Sequence, residues 1–370
     1  MKAAVLGTGG LGRIITLELA ADRRVDEIVI VDKRGDRSRA LQSLGKTASL
    51  TALEADVTDA AALHRILSGV DVAVNATLPA HNLRVMEACF EAGCSYVDSA
   101  GYSPPVAGEK SGVLEQLALD SRWRDRDISA IVSMGSDPGI SNVMARVAAD
   151  RFTDIDRILI RKAATGEKAT EGFPLQEPAS GDELYEFPPP IGKRRVHWFW
   201  HEEVLTLPTH LGKPVGWVDY KHDVNPELER AIHAFDALGL LIPDHKVKVG
   251  VTQIPFRDAF MAAMPEPSTL IGPLPGALGI VVEVHGTKAD GTKSGARASL
   301  TMEHREANRR RGTTAERFLT AAASAAAVMM IHSKRLPTAG VLAPEELPTD
   351  VVVPELAARE VSFTVADLPG

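Results

Sequence analysis

Short apolar runs alternate with amphipathic segments along the first 150 residues. Most of the apolar runs are continuous, as in strands that are covered on both faces. Strands are predicted at 2–6, 27–32, 49–56, 71–76, 95–98 and 128–133. Helices are predicted between them at 11–21, 37–44, 59–67, 82–92 and 108–120. This alternation predicts right-handed crossovers and a doubly wound parallel sheet, which is an α/β fold.

The pattern changes after about residue 150. A strand is predicted at 154–162, and residues 163–195 lack periodicity, which predicts a long loop that is either functional or mobile. Further strands are predicted near 246–252, 278–285 and 296–304, with a helix at 226–238. An Ala-rich helix at 315–331 has small residues on two faces and is expected to pack back against the first domain. We therefore predict a first domain at 1–145, completed by about 308–345, and a second, α+β domain at 146–307.

The composition excludes several classes of protein but does not indicate a reaction. The net charge of −8 argues against a nucleic-acid or anionic-membrane surface, because both require a positive field. The longest apolar run, 318–331, is shorter than the roughly 20 residues of a membrane span. The chain has only two cysteines, Cys89 and Cys94, which excludes a disulfide framework and a four-cysteine zinc site. Both fit small core positions. The start of the chain runs directly into a strand, so we expect a cytoplasmic protein without a cleavable signal.

A glycine-rich turn joins the first predicted strand to the first helix. Gly7, Gly9 and Gly12 have G-x-G-x-x-G spacing, and Gly10 and Leu11 complete the turn. In this motif the first glycine permits the turn, the second allows a pyrophosphate to approach, and the third allows close packing. The phosphates lie at the helix N-terminus, where free N–H groups favour anions. The motif predicts a dinucleotide site.

The end of the second predicted strand bears on the choice of dinucleotide. Asp32 follows Gly12 by 20 residues, where a carboxylate that binds a ribose 2′-hydroxyl is expected. It favours NAD over NADP, although Lys33 and Arg34 could hold a 2′-phosphate or form a solvated loop edge. Other cofactor contacts are expected at strand ends, where a simple turn or helix entry is the alternative. These residues are Asp56, Val57, Asn75, Ala76, Thr77 and Asp98.

Several stretches together resemble the saccharopine dehydrogenase family, including its lysine 6-dehydrogenase members. They are Val5-Leu6-Gly7-x-Gly9-Gly10-x-Gly12, Asp56-Val57-x-Asp59, Asp71-Val72-x-Val74-Asn75-Ala76, Tyr96-Val97-Asp98-x-x-Gly101 and Asp137-Pro138-Gly139-Ile140-Ser141-Asn142. The resemblance is close over roughly the first 150 residues and looser, but in order, beyond them. The Asp-Pro-Gly segment is the most telling part, because a generic dinucleotide-binding domain does not need it.

The resemblance implies a nicotinamide-dependent oxidoreductase that acts on a CH–NH bond of an amino acid or opine. It implies a Rossmann doubly wound sheet with a second α+β catalytic and dimerisation domain, inserted before a returning C-terminal helix. A small-molecule amino-acid substrate and a homodimer are the expected partners. Lysine 6-dehydrogenase-like chains carry an Arg-x-x-Gly-His element before the substrate-domain helix. This chain has Val-Asp-Tyr-Lys-His-Asp-Val-Asn at 218–225 instead, which leaves the substrate open.

Three residues are candidates for catalysis. Asp98 and Asp137 follow predicted parallel strands, at the edge where ligands bind in such sheets. Either could bind a substrate ammonium group or move a proton, although Asp137 could simply cap a helix and Asp98 could simply serve a turn. The resemblance points to Asp137 and to the turn from Asp98 to Tyr102 as pocket elements. Tyr102 could polarise an imine or be an ordinary surface tyrosine.

Further polar residues could hold a substrate carboxylate. Gly139, Ser141 and Asn142 open a helix whose N–H groups could do so. Arg161 and Lys162 end a strand, where they are either an anchor or ordinary charges. His197 and His201 are predicted to share one strand face, and no metal site is expected there. The remaining candidates, which belong to a possible closing loop or to surface edges, are His210, Lys213 and Lys221.

The leading hypothesis is therefore an NAD(P)-dependent oxidoreductase of the amino-acid or opine type. The altered segment at 218–225 motivates an alternative, a catalytically silent nucleotide-sensing or scaffold protein that retains the fold. A semialdehyde dehydrogenase is disfavoured, because it needs a nucleophilic cysteine in the second domain, and Cys89 and Cys94 lie in the first.

Overall fold

The structure is a computed structural model that describes residues 1–42, 47–102, 111–165, 180–240, 245–263 and 274–368. Its strands are β1 (Lys2–Leu6), β2 (Glu27–Asp32), β3 (Ser49–Glu54), β4 (Val72–Asn75), β5 (Ser95–Asp98), β6 (Ser129–Ile131), β7 (Asp154–Ala164), β8 (Ser180–Phe187), β9 (Gly192–Trp198), β10 (Val218–Asp223), β11 (Lys246–Val249), β12 (Thr252–Pro255), β13 (Ala277–Thr287), β14 (Lys293–Glu303), β15 (Gly340–Leu342) and β16 (Thr364–Leu368). Its helices are α1 (Gly10–Ala20), α2 (Gly35–Gln42), α3 (Ala60–Leu67), α4 (Asn82–Ala92), α5 (Gly112–Leu117), α6 (Asp120–Arg124), α7 (Ile140–Ala149), α8 (Glu203–His210), α9 (Pro226–Ala237), α10 (Phe256–Ala263), α11 (His304–Arg311), α12 (Ala315–His332) and α13 (Thr349–Ala357).

The first sheet has the order β15-β6-β5-β4-β1-β2-β3, and its strand pairs are parallel. Its central strands are apolar runs that are buried on both faces, as the sequence predicts. The chain crosses to opposite sides of the sheet after β1 and after β4, so a crevice opens between the carboxyl ends of these strands. The predicted α/β Rossmann fold is confirmed.

The second sheet is mixed and has the order β16-β14-β13-β7-β10-β9-β8. β7 and β10 are parallel, whereas β13 and β9 run antiparallel to them. One face of this sheet carries Ile158, Ile160 and Tyr220, which share a buried core with α7 and α12. Side chains on that face therefore point towards the first sheet.

The C-terminal part of the chain returns to the first sheet. α12 packs against α1, and β15 adds a parallel strand beside β6. Burial of nearly every residue along α12 explains its alanine-rich sequence, because small side chains allow several elements to approach. The predicted return of the 315–331 helix is confirmed, and the exact domain limits at 145, 307 and 345 stay a prediction.

Two local predictions are wrong. The predicted loop at 163–195 contains β8 and the start of β9 within its described part. β8 pairs with β9, and β9 pairs with β10, a long-range contact that local periodicity does not reveal. His197 and His201 do not share a strand face, since β9 ends at Trp198 and His201 precedes α8.

Two other features concern burial and membrane spans. Cys89 and Cys94 are buried free thiols, which fits their predicted core positions. Within the described residues, no helix is both long enough and apolar enough to cross a membrane.

Candidate active site

The glycine-rich turn leaves β1 and enters α1 in a conformation that needs two of its glycines. Gly7 has a φ of +93°, and a Cβ there would lie 2.8 Å from the carbonyl oxygen of Ala76. A Cβ on Gly12 would lie 1.9 Å from the carbonyl oxygen of Gly7. Apart from Gly9 and its two chain neighbours, no described residue has an atom within 4 Å of a Cβ built on Gly9, so the turn is open on that side. This open cradle, beside the first N–H groups of α1, fits a pyrophosphate.

Asp32 is tied to this turn. Its Oδ2 accepts hydrogen bonds from the amide (2.7 Å) and hydroxyl (2.6 Å) of Thr8, and its Oδ1 accepts one from the Arg34 amide at 2.8 Å. Burial raises the pKa of Asp32, but these hydrogen bonds outweigh it and hold the pKa below its usual value. A charged carboxylate is therefore fixed at the end of β2, with Lys33 and Arg34 exposed beside it.

The other predicted cofactor residues lie at the ends of neighbouring strands. Asp56 accepts hydrogen bonds from the amide and hydroxyl of Thr58, both at 2.8 Å, and Val57 is buried. Asn75 accepts hydrogen bonds from the amide and the hydroxyl of Thr77, at 3.1 and 2.6 Å. The structure thus brings these residues to the carboxyl edge of the first sheet, and their contact with a cofactor stays a prediction.

Asp98 lies in a buried hydrogen-bond network at the end of β5. It accepts hydrogen bonds from the Ser133 amide (2.7 Å), the Gln116 side chain (2.6 Å) and the Tyr96 hydroxyl (2.9 Å). Burial raises the pKa of Asp98 to about 6, against the effect of these bonds. The carboxylate is 1 % exposed, so the geometry favours a role in holding strand ends together. A catalytic or cofactor-binding role for Asp98 stays a prediction.

A separate cluster of charges surrounds Asp137, in the segment between β6 and α7. Lys162 of β7 places its Nζ 3.0 Å from Asp137 Oδ2 and 2.8 Å from Glu316 Oε2. Tyr220 of β10 donates to Asp137 Oδ2, and the Ser136 hydroxyl lies 2.8 Å from Asp137 Oδ1 and 2.7 Å from Glu316 Oε1. Elements from both sheets and from α12 therefore meet at these residues, which we call the Lys162 cluster.

The protonation states of the Lys162 cluster are fixed by its own contacts. Burial raises the pKa of Asp137, but the charge of Lys162 outweighs it and keeps the pKa below its usual value. Burial lowers the pKa of Lys162, and the charges of Asp137 and Glu316 raise it by more. Burial and the Asp137 charge raise the pKa of Tyr220. The lysine and tyrosine thus stay protonated, and the aspartate stays charged.

Two histidines flank the cluster. The ring of His201 stacks on Tyr220, with 3.9 Å between ring centroids, and its Nδ1 contacts Glu203. Burial lowers the pKa of His201, but Glu203 raises it by more. Burial, followed by the charge of Lys162, lowers the pKa of His222, which is the register partner of Lys162. The two rings are thus biased towards opposite protonation states, an arrangement that suits acid–base chemistry.

The first turn of α12 joins the cofactor turn to the Lys162 cluster. Glu316 contacts Lys162 and Ser136. The next residue, Arg317, lies against Gly10, since a Cβ on Gly10 would be 3.2 Å from its Nε. Consecutive Cα atoms are about 3.8 Å apart. The charged cluster and the glycine-rich turn therefore contact adjacent residues of α12 and lie next to each other.

Other predicted residues make contacts elsewhere. Arg161 alternates with Lys162 along β7 and pairs with Asp219 and Glu183 on the opposite face of the sheet. Lys221 also binds Glu183, and Lys213 donates to the carbonyl oxygens of Ala149 and Phe152. These three cations are not brought to the Lys162 cluster.

The remaining candidates lie near the cleft or at its border. At the start of α7, Asn142 Oδ1 accepts from the Gly139 amide at 2.9 Å, and the Ser141 hydroxyl donates to Glu203 at 2.6 Å. Tyr102 is 38 % exposed at the limit of a described segment. His197 is buried, and the His210 ring contacts the hydroxyl of Thr209. Their predicted roles stay predictions.

Sequence reasoning missed Ser136, Glu203, Tyr220 and Glu316 as members of the site. Tyr220 lies in the 218–225 segment that departs from the lysine 6-dehydrogenase pattern, and Glu316 is an acidic residue in the first turn of a helix, a common surface position. Neither carries a local signal of chemistry. The long-range contacts to Asp137 and Lys162 identify them.

Glu202 connects the second sheet domain to the first. It precedes α8, and its carboxylate accepts hydrogen bonds from the Gly101 amide at 2.8 Å and from the Ser133 hydroxyl. Burial raises the pKa of Glu202 to about 7, although the Ser133 hydrogen bond opposes it. This carboxyl group is therefore a buried proton-binding group between the domains.

We expect Glu202→Gln to stabilise the protein at pH 8.5 relative to the unmodified chain, but not at pH 5. The folded-state pKa of about 7 exceeds the usual 4.5, so this carboxyl contributes stability at low pH that is lost as the pH rises through 7. Glutamine does not titrate, so at pH 8.5 the free energy of unfolding of Glu202→Gln should exceed that of the unmodified chain by about 1 to 3 kcal/mol. Urea unfolding at both pH values measures it. Glu87→Gln, at an exposed ion pair with Arg122, is the control and should not open such a gap; equal pH dependence of Glu202→Gln and the unmodified chain would contradict the assignment.

Comparison with known proteins agrees with a dinucleotide site at the glycine-rich turn. Residues 3–131 match the family model described as the saccharopine dehydrogenase NADP binding domain. Carboxyaminopropylagmatine dehydrogenase of Synechocystis sp. is 25 % identical, over 96 % of this chain and 95 % of the relative. The protein is an NAD(P)-dependent dehydrogenase whose cofactor domain matches the saccharopine dehydrogenase family. Carboxynorspermidine synthase of Vibrio cholerae is 26 % identical, over 81 % of this chain and 80 % of that relative.

Solved structures of this dehydrogenase fold superpose on the whole chain. Saccharopine dehydrogenase (L-Glu forming) from Saccharomyces cerevisiae matches with a TM-score of 0.72 over 100 % of both chains, at 14 % identity. Homospermidine synthase from Legionella pneumophila, in complex with NAD, matches with a TM-score of 0.66 over 99 % of this chain and 91 % of that one, at 12 % identity. At these identities the likeness shows the fold. The dehydrogenase assignment replaces the alternative of a silent scaffold.

Proposed function

We propose that this dehydrogenase transfers hydride to or from an imine, at the CH–NH bond of an amine that also carries a carboxylate, in an amino-acid or opine-type substrate. The observation that carries the proposal is the Lys162 cluster beside the glycine-rich turn. NAD(P) bound at the turn supplies the hydride donor or acceptor. The protein residues bind the substrate, exclude water and handle the proton.

The charge balance of the cleft supports an amine. Two carboxylates, those of Asp137 and Glu316, contact the single lysine of the cluster, and a third, that of Glu203, contacts the neighbouring His201 and Ser141. A protonated imine is cationic, and fixed carboxylates aimed at that charge stabilise it in a water-poor site. The relatives' names support the same class, since carboxynorspermidine and carboxyaminopropylagmatine are names of amines with a carboxy group.

His222 is the proposed proton acceptor when the amine is oxidised. Its Nδ1 contacts the carbonyl oxygen of Asp223, which places the proton on Nδ1 and leaves Nε2 as acceptor. Lys162 lowers the pKa of this ring, after burial, so it is neutral near pH 7. In imine reduction the same nitrogen returns the proton.

We expect His222→Gln to lower kcat about 100-fold and to remove the acidic limb of the pH–rate profile for amine oxidation. The base acts when neutral and its pKa is lowered, so the rate of the unmodified enzyme should fall only at a pH below the usual pKa of histidine. Initial rates between pH 5 and 9 test this. A retained acidic limb in His222→Gln would assign the proton transfer to another group.

A panel assay tests the function. NAD⁺ and NADP⁺ are each mixed with lysine, ornithine, saccharopine and carboxylated polyamines, and the reduced cofactors with carbonyl–amine pairs that form the corresponding imines. We expect an absorbance change near 340 nm that requires both a carboxylate and an amine in the substrate. An enzyme that instead reduces simple aldehydes or ketones to alcohols, without amine, would contradict the proposal.

NAD is the proposed cofactor, with NADP as the alternative. The charged carboxylate of Asp32 has three hydrogen bonds, and a carboxylate has room for about four, which leaves one position for a ribose hydroxyl. The same charge repels a 2′-phosphate. Lys33 and Arg34, exposed beside it, favour the phosphate.

We expect Asp32→Ser to weaken NAD⁺ binding about tenfold and to strengthen NADP⁺ binding. The substitution removes a charged acceptor, worth about 1.5 kcal/mol or more, and leaves Lys33 and Arg34 in place. Calorimetric titration gives both dissociation constants. Thr8→Val is the matched control, because it loosens the turn but keeps the Asp32 charge, and should weaken both cofactors alike. If the ratio of the NAD⁺ and NADP⁺ dissociation constants is unchanged in Asp32→Ser, Asp32 does not select between the two cofactors.

The predicted homodimer and cytoplasmic location stay predictions. The proposed assembly rests on the family resemblance, and light scattering after size exclusion measures it. A mass of one chain, 39.6 kDa, at micromolar concentration would exclude the dimer.

A further inference from the structure

Arg317 lies across the glycine-rich turn. It is in the first turn of α12, 8 % exposed, and its Nε and Cζ are 3.2 and 3.3 Å from the position of a Cβ on Gly10. The guanidinium group therefore lies within about 5 Å of the Gly10 Cα, since the Cα–Cβ bond adds about 1.5 Å. This arginine comes from outside residues 3–131, which the family model of the cofactor domain covers.

Gly10 makes room for this arginine. The residue opens α1 and has no positive φ, so its backbone conformation is one that alanine adopts readily. A methyl group there would contact the guanidinium group at 3.2 Å, which is tighter than ordinary packing. The glycine at this position is thus explained by the side chain of Arg317 and not by the turn.

We propose that Arg317 is a further cofactor-binding residue, whose guanidinium group pairs with the pyrophosphate of the dinucleotide. The inference rests on the NAD(P)-dependent function proposed above. The pyrophosphate is expected over Gly9 and at the first N–H groups of α1, which begins at Gly10. A guanidinium group presents planar paired donors that match two phosphate oxygens.

The charge of the chain supports this role. The protein carries a net charge of −8, and residues 7–12 contain no charged side chain. The turn therefore offers a doubly negative pyrophosphate only the N–H groups at the start of α1, and any side-chain charge comes from another element. Glu316, the neighbour of Arg317, is engaged by Lys162 and Ser136 and so takes part in the Lys162 cluster. Adjacent residues of α12 would then serve the cofactor and the substrate.

Three variants, a control variant and three ligands test the proposal. Calorimetry measures the affinities of NAD⁺, ADP-ribose, which keeps the pyrophosphate, and AMP, which lacks it, for the full-length protein. We expect Arg317→Gln to weaken NAD⁺ and ADP-ribose by 10-fold or more and AMP by less than 3-fold. Arg317→Lys should restore part of the loss, and Gly10→Ala should reproduce it by displacing the arginine. Arg305→Gln, an exposed arginine of α11 that pairs with Glu303, is the matched control and should bind as the unmodified protein does.

Different results would overturn the proposal. Unchanged ADP-ribose affinity in both Arg317→Gln and Arg317→Lys would remove Arg317 from the cofactor site. A raised KM for the amine with unchanged cofactor affinity would assign the arginine to the substrate carboxylate instead. An equal loss for AMP and ADP-ribose would indicate general damage to the domain. A protein that binds dinucleotides through Arg317 but oxidises no amine would contradict the proposed function and leave this inference standing.

Discussion

Replacement of Asp137 by asparagine is expected to lower kcat about 1,000-fold. The carboxylate holds Lys162 at 3.0 Å and accepts the Tyr220 hydroxyl, so its charge fixes the protonation of both groups. Without that charge Lys162 pairs with Glu316 alone. The site then has one negative charge fewer to stabilise the cationic imine. Loss of one preorganised electrostatic contact typically lowers kcat by about 10²- to 10³-fold.

Single-turnover rates with saturating cofactor measure this effect apart from binding. Asp219→Asn is the matched control: Asp219 precedes Tyr220 on β10, but its carboxylate faces the other side of the sheet and pairs with Arg161. We expect Asp219→Asn to retain most of kcat. A similar kcat for Asp137→Asn and Asp219→Asn would show that the Lys162 cluster does not serve the reaction.

Alanine at Gly12 is expected to weaken dinucleotide binding more than 100-fold and to lower the melting temperature. The added Cβ would lie 1.9 Å from the Gly7 carbonyl oxygen, so the backbone of the turn must move. Gly7, at a φ of +93° and close to Ala76, has no room to yield. The third glycine of the motif thus holds α1 against β1.

Alanine at Gly9 separates folding from binding. No described residue other than its chain neighbours has an atom within 4 Å of its Cβ position, and the backbone φ of −65° suits alanine. We expect an unchanged melting temperature and a loss of about 10-fold or more in NAD⁺ affinity, because the methyl group occupies the space left for the pyrophosphate. Titration and thermal unfolding of both variants give the two quantities. Full NAD⁺ affinity in Gly9→Ala would place the pyrophosphate elsewhere.

The first sheet could be predicted from sequence because its signals are local. Buried parallel strands are apolar runs, and the glycine spacing marks the turn that follows the first of them. The predicted ends of β1, β2 and β5 match the structure. Local pattern also predicted α12, whose alanines allow close packing against several elements.

The Lys162 cluster could not be predicted in the same way. Arg161 and Lys162 are adjacent cations on one strand, and strand alternation puts them on opposite faces. The pairing of β7 with β10 and β13 decides which of the two side chains points to the first sheet. Asp98 and Asp137 both follow parallel strands, and their surroundings differ because Gln116 and Tyr96 surround one carboxylate and Lys162 and Tyr220 the other. Only these tertiary contacts distinguish the surroundings of Asp98 from those of Asp137.

Transfer of deuterium from C4 of the reduced cofactor tests the central claim most directly. NADH or NADPH that carries two deuterium atoms at C4 is incubated with the enzyme and an imine-forming carbonyl–amine pair, and the product is analysed by mass spectrometry and NMR. We expect one deuterium atom on the carbon that becomes bonded to nitrogen, and its loss in Asp137→Asn at the same enzyme concentration. Deuterium on a carbon bonded to a hydroxyl group, or an amine product without deuterium, would contradict hydride transfer at a CH–NH bond.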